Sequence, residues 1–225
     1  MKKIINDYGL TAKSIAVKCA MIMAIMTLVI FQGCTKDEEV VYSDQTSGIK
    51  SMSVASLSGD ELAALRHMRE EEKLARDVYI TMSEKWKDKV FLQISSSEQR
   101  HMDAVLNLLK KYNLPDPVGN NAIGVFTDAN LQSLYDELVS EGLVGKLEAY
   151  TVGATIEDLD IADLKHAIEV SDNKDLLRVW GNLMMGSENH MCAFYGHIVA
   201  LDGTYTAQFI TQEELKEILS SAKGK

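Results

Sequence analysis

The sequence predicts an all-helical fold in which four long amphipathic helices form a bundle. Apolar residues recur at three- and four-residue spacing through most of the chain beyond residue 57, and no alternating strand pattern of useful length appears. Both prolines, Pro115 and Pro117, fall in one break after the second long helix. Four such helices pack most simply as a bundle, here with a short helical insertion between helices 2 and 3 and a small C-terminal helix.

The first long helix has the clearest start signal. Ser58 and Glu61 form a Ser-x-x-Glu capping box, in which each side chain can bond the other's backbone amide. From Leu62 the chain runs without Pro or Gly to about Trp86. The apolar positions that keep helical spacing are Leu62, Leu65, Met68, Ala75, Val78, Tyr79 and Met82.

The other helices follow from periodicity and breaker residues. Thr127 or Asp128 is a predicted N-cap for the insertion helix, and Asp172 for the fourth long helix. Thr211-x-x-Glu214 is a second capping box and opens the terminal helix. The predicted ranges are about 91–112 for the second long helix, 128–141 for the insertion helix, 146–170 for the third and 174–201 for the fourth.

The N-terminal segment predicts export and lipid attachment. Four lysines precede an apolar run at 20–31, which is typical of a secretion signal and short for a membrane span. Gly33-Cys34 then predicts a bacterial lipoprotein, with residues 1–33 removed and Cys34 lipidated. Residues 34–57 would be a flexible tether, and 58–225 the helical domain. The alternative is an uncleaved N-terminal anchor.

Charge and cysteine content exclude several classes. The chain has 23 Lys and Arg and 33 Asp and Glu; removing residues 1–33 takes away four bases and one acid, leaving 19 and 32, a formal charge of −13. Such a surface repels nucleic acid. With Cys34 acylated, Cys192 is the remaining thiol, which excludes an intrachain disulfide and a zinc–thiolate site. The predicted location is the cell envelope, lipid-anchored to a bacterial membrane; residues 36–39 resemble a surface-export signal.

Acids and histidines interrupt the apolar stripes of all four long helices. Charged side chains are rare on such stripes unless they are paired or bind metal. The second helix carries a Glu-x-x-His pair, whose members share one helix face. Carboxylates with imidazoles suit iron or manganese, and zinc is compatible. The candidate metal ligands are Glu72, Glu98, His101, Glu157, Asp160 and His190.

Each candidate also has a purely structural interpretation. Glu157 and Asp160 fit a solvated helix face, and His190 fits a satisfied core histidine. His67 and His166 fall off the apolar stripes and are predicted on the surface. Tyr79 fits either a core aromatic or a hydrogen-bond donor to a ligand. His197 fits either a core residue or a residue that supports a ligand.

Two motifs carry a family resemblance. Residues 72–79, with Glu72, Ala75 and Tyr79, resemble the first-helix Glu-x-x-Ala-x-x-x-Tyr motif of ferritins and rubrerythrins, and 98–101 resemble their second-helix Glu-x-x-His motif. The segments MREEEKLARDVY, SEQRHMDAVLNLLKKYNLPDPVG, VGATIEDLDIADL and GSENHMCAF resemble an uncharacterised ferritin-like family, a domain of unknown function, over about residues 60–209. The resemblance implies a ferritin-like bundle with a dimetal site, without a known reaction.

The chain departs from the ferritin-like pattern at two places. Asp160 stands where rubrerythrins have a second glutamate, and Ser187 stands where the fourth helix usually carries the glutamate of Glu-x-x-His. Glu188 lies about 100° away around the helix and would compensate only through a π-bulge. The site would be dinuclear with an open position, mononuclear, or decayed.

Two classes of function remain open. The first is an envelope lipoprotein that binds one or two iron ions and acts as a di-iron oxidase, peroxidase or ferroxidase, with a separate electron donor. The second is a non-catalytic structural or interaction module, in which a metal or a carboxylate–histidine network holds the bundle together or the insertion 115–145 binds a partner. A homodimer is a further hypothesis.

Overall fold

The protein folds into six helices. The structure, a computed structural model, describes residues 57–221 and contains no strand within them. The predicted signal, the lipidation site Cys34 and the tether up to residue 56 lie outside the described residues. Within that range no helix has the length and apolarity to cross a membrane. The helices are α1 (Gly59–Trp86), α2 (Lys89–Lys111), α3 (Ala129–Gly142), α4 (Lys146–Glu169), α5 (Lys174–Ala200) and α6 (Gln212–Ser221).

The capping box predicted for α1 is confirmed. The Glu61 amide donates to Ser58 Oγ at 3.1 Å, and the Ser58 amide donates to Glu61 Oε2 at 2.9 Å. For α3 the N-cap is Asp128, one of the two residues predicted. These side chains satisfy amides that have no partner inside the helix.

The predicted start of α2 and the predicted cap of α5 need correction, whereas α5 begins at Lys174 as predicted. The N-cap of α5 is Asn173, not Asp172, because Asn173 Oδ1 accepts from the amides of Asp175 and Leu176, the second and third residues of the helix. A cap must directly precede the first helical residue, and Asp172 lies one position too early. Helix α2 begins at Lys89, two residues before the predicted Phe91, because Asp88 caps it. Val90 is already part of the buried apolar face, so the apolar repeat begins one residue before Phe91.

The four long helices contact one another in a closed ring. Helix α1 packs on α2 and α4, and α5 packs on the same two helices from the other side. Helix α3 lies against α1 and α4, and α6 against α5. This set of contacts is the one expected of a four-helix bundle, and it gives α1, α2, α4 and α5 a common interior.

A polar layer divides that interior. One apolar cluster includes Tyr79, Phe91 and Phe194, and the other includes Leu65 and Trp180. On the four long helices the donor residues Glu72, Glu98, Glu157 and His190 each lie along the chain between members of these two clusters. Because apolar packing holds the helices on both sides, the side chains of Glu72, Glu98, Glu157 and His190 are fixed between the two clusters.

Candidate metal centre

Five donor residues from the four long helices converge in two groups. In the first, His101 Nδ1 lies 2.7 Å from Glu98 Oε2 and 3.2 Å from Glu72 Oε2. In the second, His190 Nδ1 lies 2.8 Å from Glu98 Oε1 and 3.4 Å from Glu157 Oε2. Each group therefore contains one histidine, one glutamate of its own and one oxygen of the shared Glu98.

The separations of 3.2 and 3.4 Å match those of ligands around a common ion, whereas those of 2.7 and 2.8 Å are typical of hydrogen-bonded ion pairs. Two ligands that each bind a metal at about 2.1 Å lie roughly 3–4 Å apart, depending on the coordination geometry. The donor atoms of each group lie within 4.8 Å of one another. The two oxygens of Glu98 belong to different groups, so its carboxylate can bridge two ions. The rings of His101 and His190 are 5.6 Å apart, which leaves the groups adjacent but distinct.

Several of these donors are buried without a hydrogen-bond partner. Both oxygens of Glu98, Oε2 of Glu157 and Nδ1 of His190 have no partner of acceptable geometry within residues 57–221. A buried polar atom left without a partner costs about 1–3 kcal/mol, and more when it is charged. Cations bound in the two groups would satisfy all four atoms, so the donor set fits a metal.

The metal-free centre has strongly shifted proton affinities. Burial raises the pKa of Glu72 to about 8, although His101 opposes the shift. Burial would also raise the pKa of Glu98, but the adjacent imidazoles of His101 and His190 lower it to about 2. Burial would lower the pKa of both histidines, yet the neighbouring carboxylates raise it to about 10 for His101 and about 11 for His190. In the absence of metal, the protons on Glu72, His101 and His190 offset the repulsion among these buried carboxylates.

Asp160 lies in the same interior but in neither donor group. It is 2% exposed, and neither of its oxygens has a hydrogen-bond partner among the described residues. Burial raises its pKa well above the ordinary value, and the charges of Glu71 and Glu157 raise it further. The structure thus places Asp160 beside the centre, among other acids, and does not bring it together with a histidine.

The prediction for His67 is wrong. Its side chain is half-buried, and Nε2 lies 3.0 Å from Asp163 Oδ2 and 3.5 Å from Glu71 Oε2. Neither acid was among the candidates. The signals available in the sequence were the i, i+4 spacing of His67 and Glu71 and the position of Asp163 one turn after Asp160. His166 is exposed, as predicted.

Contacts near the centre decide between the two interpretations left open for Tyr79 and for His197. The Tyr79 hydroxyl donates to Glu157 Oε1 at 2.6 Å, so this tyrosine supports a candidate ligand. Ser187 is buried and donates to the backbone oxygen of Leu183 at 3.3 Å, within its own helix. Helix α5 is α-helical throughout, so no π-bulge turns Glu188 inward. The other uncertain histidine, His197, stacks on Tyr150 away from both donor groups.

Gly186 leaves the space that the His101 ring occupies. A Cβ at Gly186 would lie 2.5 Å from Cε1 and 2.6 Å from Nε2 of His101. We expect Gly186→Ala to push the ring away from Glu72 and Glu98 and to weaken metal binding about tenfold, as loss of a ligand's supporting contact does elsewhere. Isothermal titration with a divalent cation measures this.

A matched control lies in the same helix. Gly181 has no atom within 4 Å of an added Cβ. Gly181→Ala should therefore leave metal binding unchanged and stabilise the helix by about 0.5–1 kcal/mol. Equal metal affinities for the Gly186→Ala and Gly181→Ala variants would contradict the role assigned to Gly186.

The stability of the metal-free protein is expected to fall as the pH rises from about 5 to 8. The folded state keeps the Glu72 proton up to a pKa of about 8, whereas the unfolded state releases it near 4.5. The folded state therefore binds more protons over this range, and the free energy of unfolding decreases with pH. His101 and His190 act in the same direction above their ordinary pKa of 6.5. Urea unfolding in the presence of a chelator should show a decrease of at least about 1 kcal/mol, the free energy linked to a tenfold change in proton affinity.

The control is urea unfolding of the metal-saturated protein over the same pH range. A bound cation replaces the protons on the carboxylates, so the decrease should become smaller. A free energy of unfolding that rises with pH in the presence of chelator would rule out the proposed protonation of the centre.

The sequence matches the model of the family described as "Uncharacterized protein domain (DUF2202)" over residues 61–222. The chain belongs to this family. The matched range extends from α1 to α6 and contains every donor described above. The DUF2202 domain and the helical domain are therefore the same unit.

A relative and a solved structure are similar to this DUF2202 protein. The uncharacterized protein MJ0754 of Methanocaldococcus jannaschii is 51% identical over 174 residues, which are 77% of this chain and 94% of the relative. The crystal structure of hypothetical protein MJ0754 aligns with a TM-score of 0.73 and covers 76% of this chain and 97% of the solved one. The similarity extends over nearly the whole relative.

Proposed function

We propose that this DUF2202 protein is a ferritin-like metalloprotein whose bundle interior binds two first-row divalent cations. One observation carries the proposal: the two oxygens of the buried Glu98 face two different histidines, each with its own glutamate. A carboxylate shared in this way is the arrangement that bridges two ions in dimetal bundles. Iron or manganese suits the donors best, and zinc is compatible with them.

The donor residues would bind the two ions as follows. Glu72 and His101 would hold one ion, Glu157 and His190 the other, and Glu98 both. Tyr79 keeps Glu157 Oε1 occupied, so that Oε2 faces His190. When bound, a ferrous pair would supply electrons for the reduction of dioxygen or peroxide.

Ser187 would give the centre an open side. Its hydroxyl is engaged by its own helix, so α5 offers His190 but no carboxylate at this level. A small oxidant can approach where a fourth helix usually supplies a glutamate. We propose an oxidoreductase of the oxidase, peroxidase or ferroxidase type, with ferrous iron or peroxide as substrate and electrons from a separate donor.

The N-terminal segment favours a location in the cell envelope. Its signal-like pattern ends at Gly33-Cys34, which favours a chain anchored through lipid on Cys34. An anchored chain would not readily close into a storage cage, so reaction at the centre is favoured over iron storage.

A structural role is the second candidate, and the ion pairs favour it. His101 and His190 contact carboxylates at 2.7–3.4 Å. Such a network can hold four helices in register without catalysis. On this interpretation, Ser187 at the position of a ligand glutamate indicates a decayed metal site.

Metal content separates the two candidates. Full-length protein is loaded anaerobically with ferrous iron, and bound metal is counted by elemental mass spectrometry. Two ions per chain at the centre, with consumption of dioxygen or peroxide by the loaded protein, is the expected result. Bound metal without consumption would leave a structural metal site, and absence of metal would leave the carboxylate–histidine network alone.

A further inference from the structure

A second cluster of donors lies between α1 and α4, apart from the central groups. His67 and Glu71 come from α1 and Asp163 from α4, and their donor atoms lie within 4.8 Å of one another. His67 Nε2 is 3.0 Å from Asp163 Oδ2 and 3.5 Å from Glu71 Oε2. These separations are again those of ligands that share one ion.

The ion pair between His67 and Asp163 does not explain why the carboxylate of Glu71 is buried. It is 3% exposed, its carboxylate points at His67 Nε2, and neither of its oxygens has a hydrogen-bond partner among residues 57–221. His67 donates in good geometry to Asp163 and not to Glu71. A nearly buried carboxylate next to a second acid, without a hydrogen bond of its own, is the environment that a cation stabilises.

The cluster opens to solvent at one edge only. The side chain of His67 is 21% exposed and that of Asp163 10%, whereas Glu71 closes the inner side at 3%. A cation can therefore reach the cluster from the surface and keep water on its outer side. The central histidines are more enclosed, at 12% for His101 and 10% for His190.

The acid that separates the two clusters is Asp160. It lies one turn before Asp163 and one turn after Glu157 on α4, and it belongs to neither group of converging donors. Glu71 and Glu157 are its two strongest electrostatic neighbours. The outer cluster thus forms the solvent-facing end of a continuous acidic interior, and no donor is shared between the clusters.

We propose that His67, Glu71 and Asp163 form an accessory binding site for one first-row divalent cation. One imidazole and two carboxylates favour such an ion over calcium or magnesium, which prefer oxygen ligands. Since only three protein donors converge, water completes the coordination. The ion binds more weakly and exchanges faster than one enclosed by the central donors. This site does not depend on the proposed redox function of the centre.

Cobalt(II) is the probe that tests the site. Equilibrium dialysis of the full-length protein with Co²⁺, followed by elemental analysis, counts the bound ions, and visible absorption reports their ligands. The test variants are Glu71→Gln, which keeps the side-chain shape, and Asp163→Asn, which removes the other acid if the first variant fails to fold. Glu84→Gln, an exposed acid on the same helix, is the matched control.

The expected result is a loss of one Co²⁺ per chain in Glu71→Gln and in Asp163→Asn, and no loss in Glu84→Gln. In unmodified protein, a chelator should remove this ion first. Glu98→Gln should keep it, because Glu98 belongs only to the central groups. An anomalous difference peak between His67 and Asp163 in crystals soaked with Co²⁺ would place it directly.

The experiment distinguishes failure of the accessory-site proposal from failure of the proposed metal centre. Wild-type Co²⁺ content in folded Glu71→Gln and Asp163→Asn overturns the accessory site, whatever the centre binds. Loss of all cobalt in Glu98→Gln also overturns it, since the outer cluster would then bind nothing independently. Cobalt retained in Glu98→Gln and lost in Glu71→Gln supports the accessory site even if the centre proves to be structural.

Discussion

Replacing Glu98 by glutamine is expected to lower cation affinity at the centre by at least about 100-fold, the upper end of the effects of residues that only support metal ligands. Glutamine keeps the size of the side chain but removes the charge that both donor groups share. The metal-free protein should also lose stability, by about 3 kcal/mol, because His101 and His190, which lie 2.7 and 2.8 Å from this carboxylate, lose their common counter-charge.

Titration calorimetry and urea unfolding measure the two effects separately. Asp103→Asn is the matched control, because Asp103 is an exposed acid on the same helix. It should leave both quantities within about 0.5 kcal/mol of the unmodified protein. Undiminished binding of two ions by folded Glu98→Gln would show that this carboxylate does not bridge them.

Replacing Asp77 by asparagine is expected to cost about 3–5 kcal/mol of unfolding free energy, the range for breaking a buried ion pair. Asp77 is fully buried and pairs with Lys73, which is 1% exposed. Its carboxylate also accepts from Arg76 Nε at 2.8 Å and from the Gly124 amide at 2.9 Å. Lys73 donates in addition to the Ala122 backbone oxygen at 2.9 Å.

This network ties the segment between α2 and α3 to α1, so its loss should be visible locally. Hydrogen exchange should accelerate around Gly124, while global unfolding by urea reports the total cost. Asp136→Asn, an exposed acid on α3, is the control and should change stability by less than about 0.5 kcal/mol. Unchanged exchange at Gly124 in Asp77→Asn would contradict the anchoring role.

The predictions that depended on local patterns agree with the structure. Helix content, the capping box at Ser58 and the cap at Asp128 are all present. Glu72, Glu98 and Glu157 are buried, as expected for acids on an apolar stripe, and His190 is nearly so. Whether any of them binds a metal stays a prediction. Lipidation of Cys34 also stays a prediction, since it lies outside the described residues.

The predictions that failed involve a helix cap shifted by one position, a helix start shifted by two, or a partner that is distant in the chain. Asp172 and Asn173 are both good capping residues, and only the backbone decides which of them directly precedes α5. His67 is on the flank of its own apolar stripe, where a single helix gives no reason to bury it. Helix α4 covers that flank and brings Asp163 to it, 96 residues later in the chain.

The sequence by itself determined that this protein is helical and that Glu72 and Glu98 lie on the apolar sides of their helices. Both follow from a repeat of 3.6 residues and from caps, which are properties of neighbouring residues. Only the tertiary structure decided that Glu98 divides its oxygens between His101 and His190, that Tyr79 supports Glu157, and that His67 faces Asp163. These contacts join different helices, so they depend on how four helices pack around one core, which no local repeat encodes.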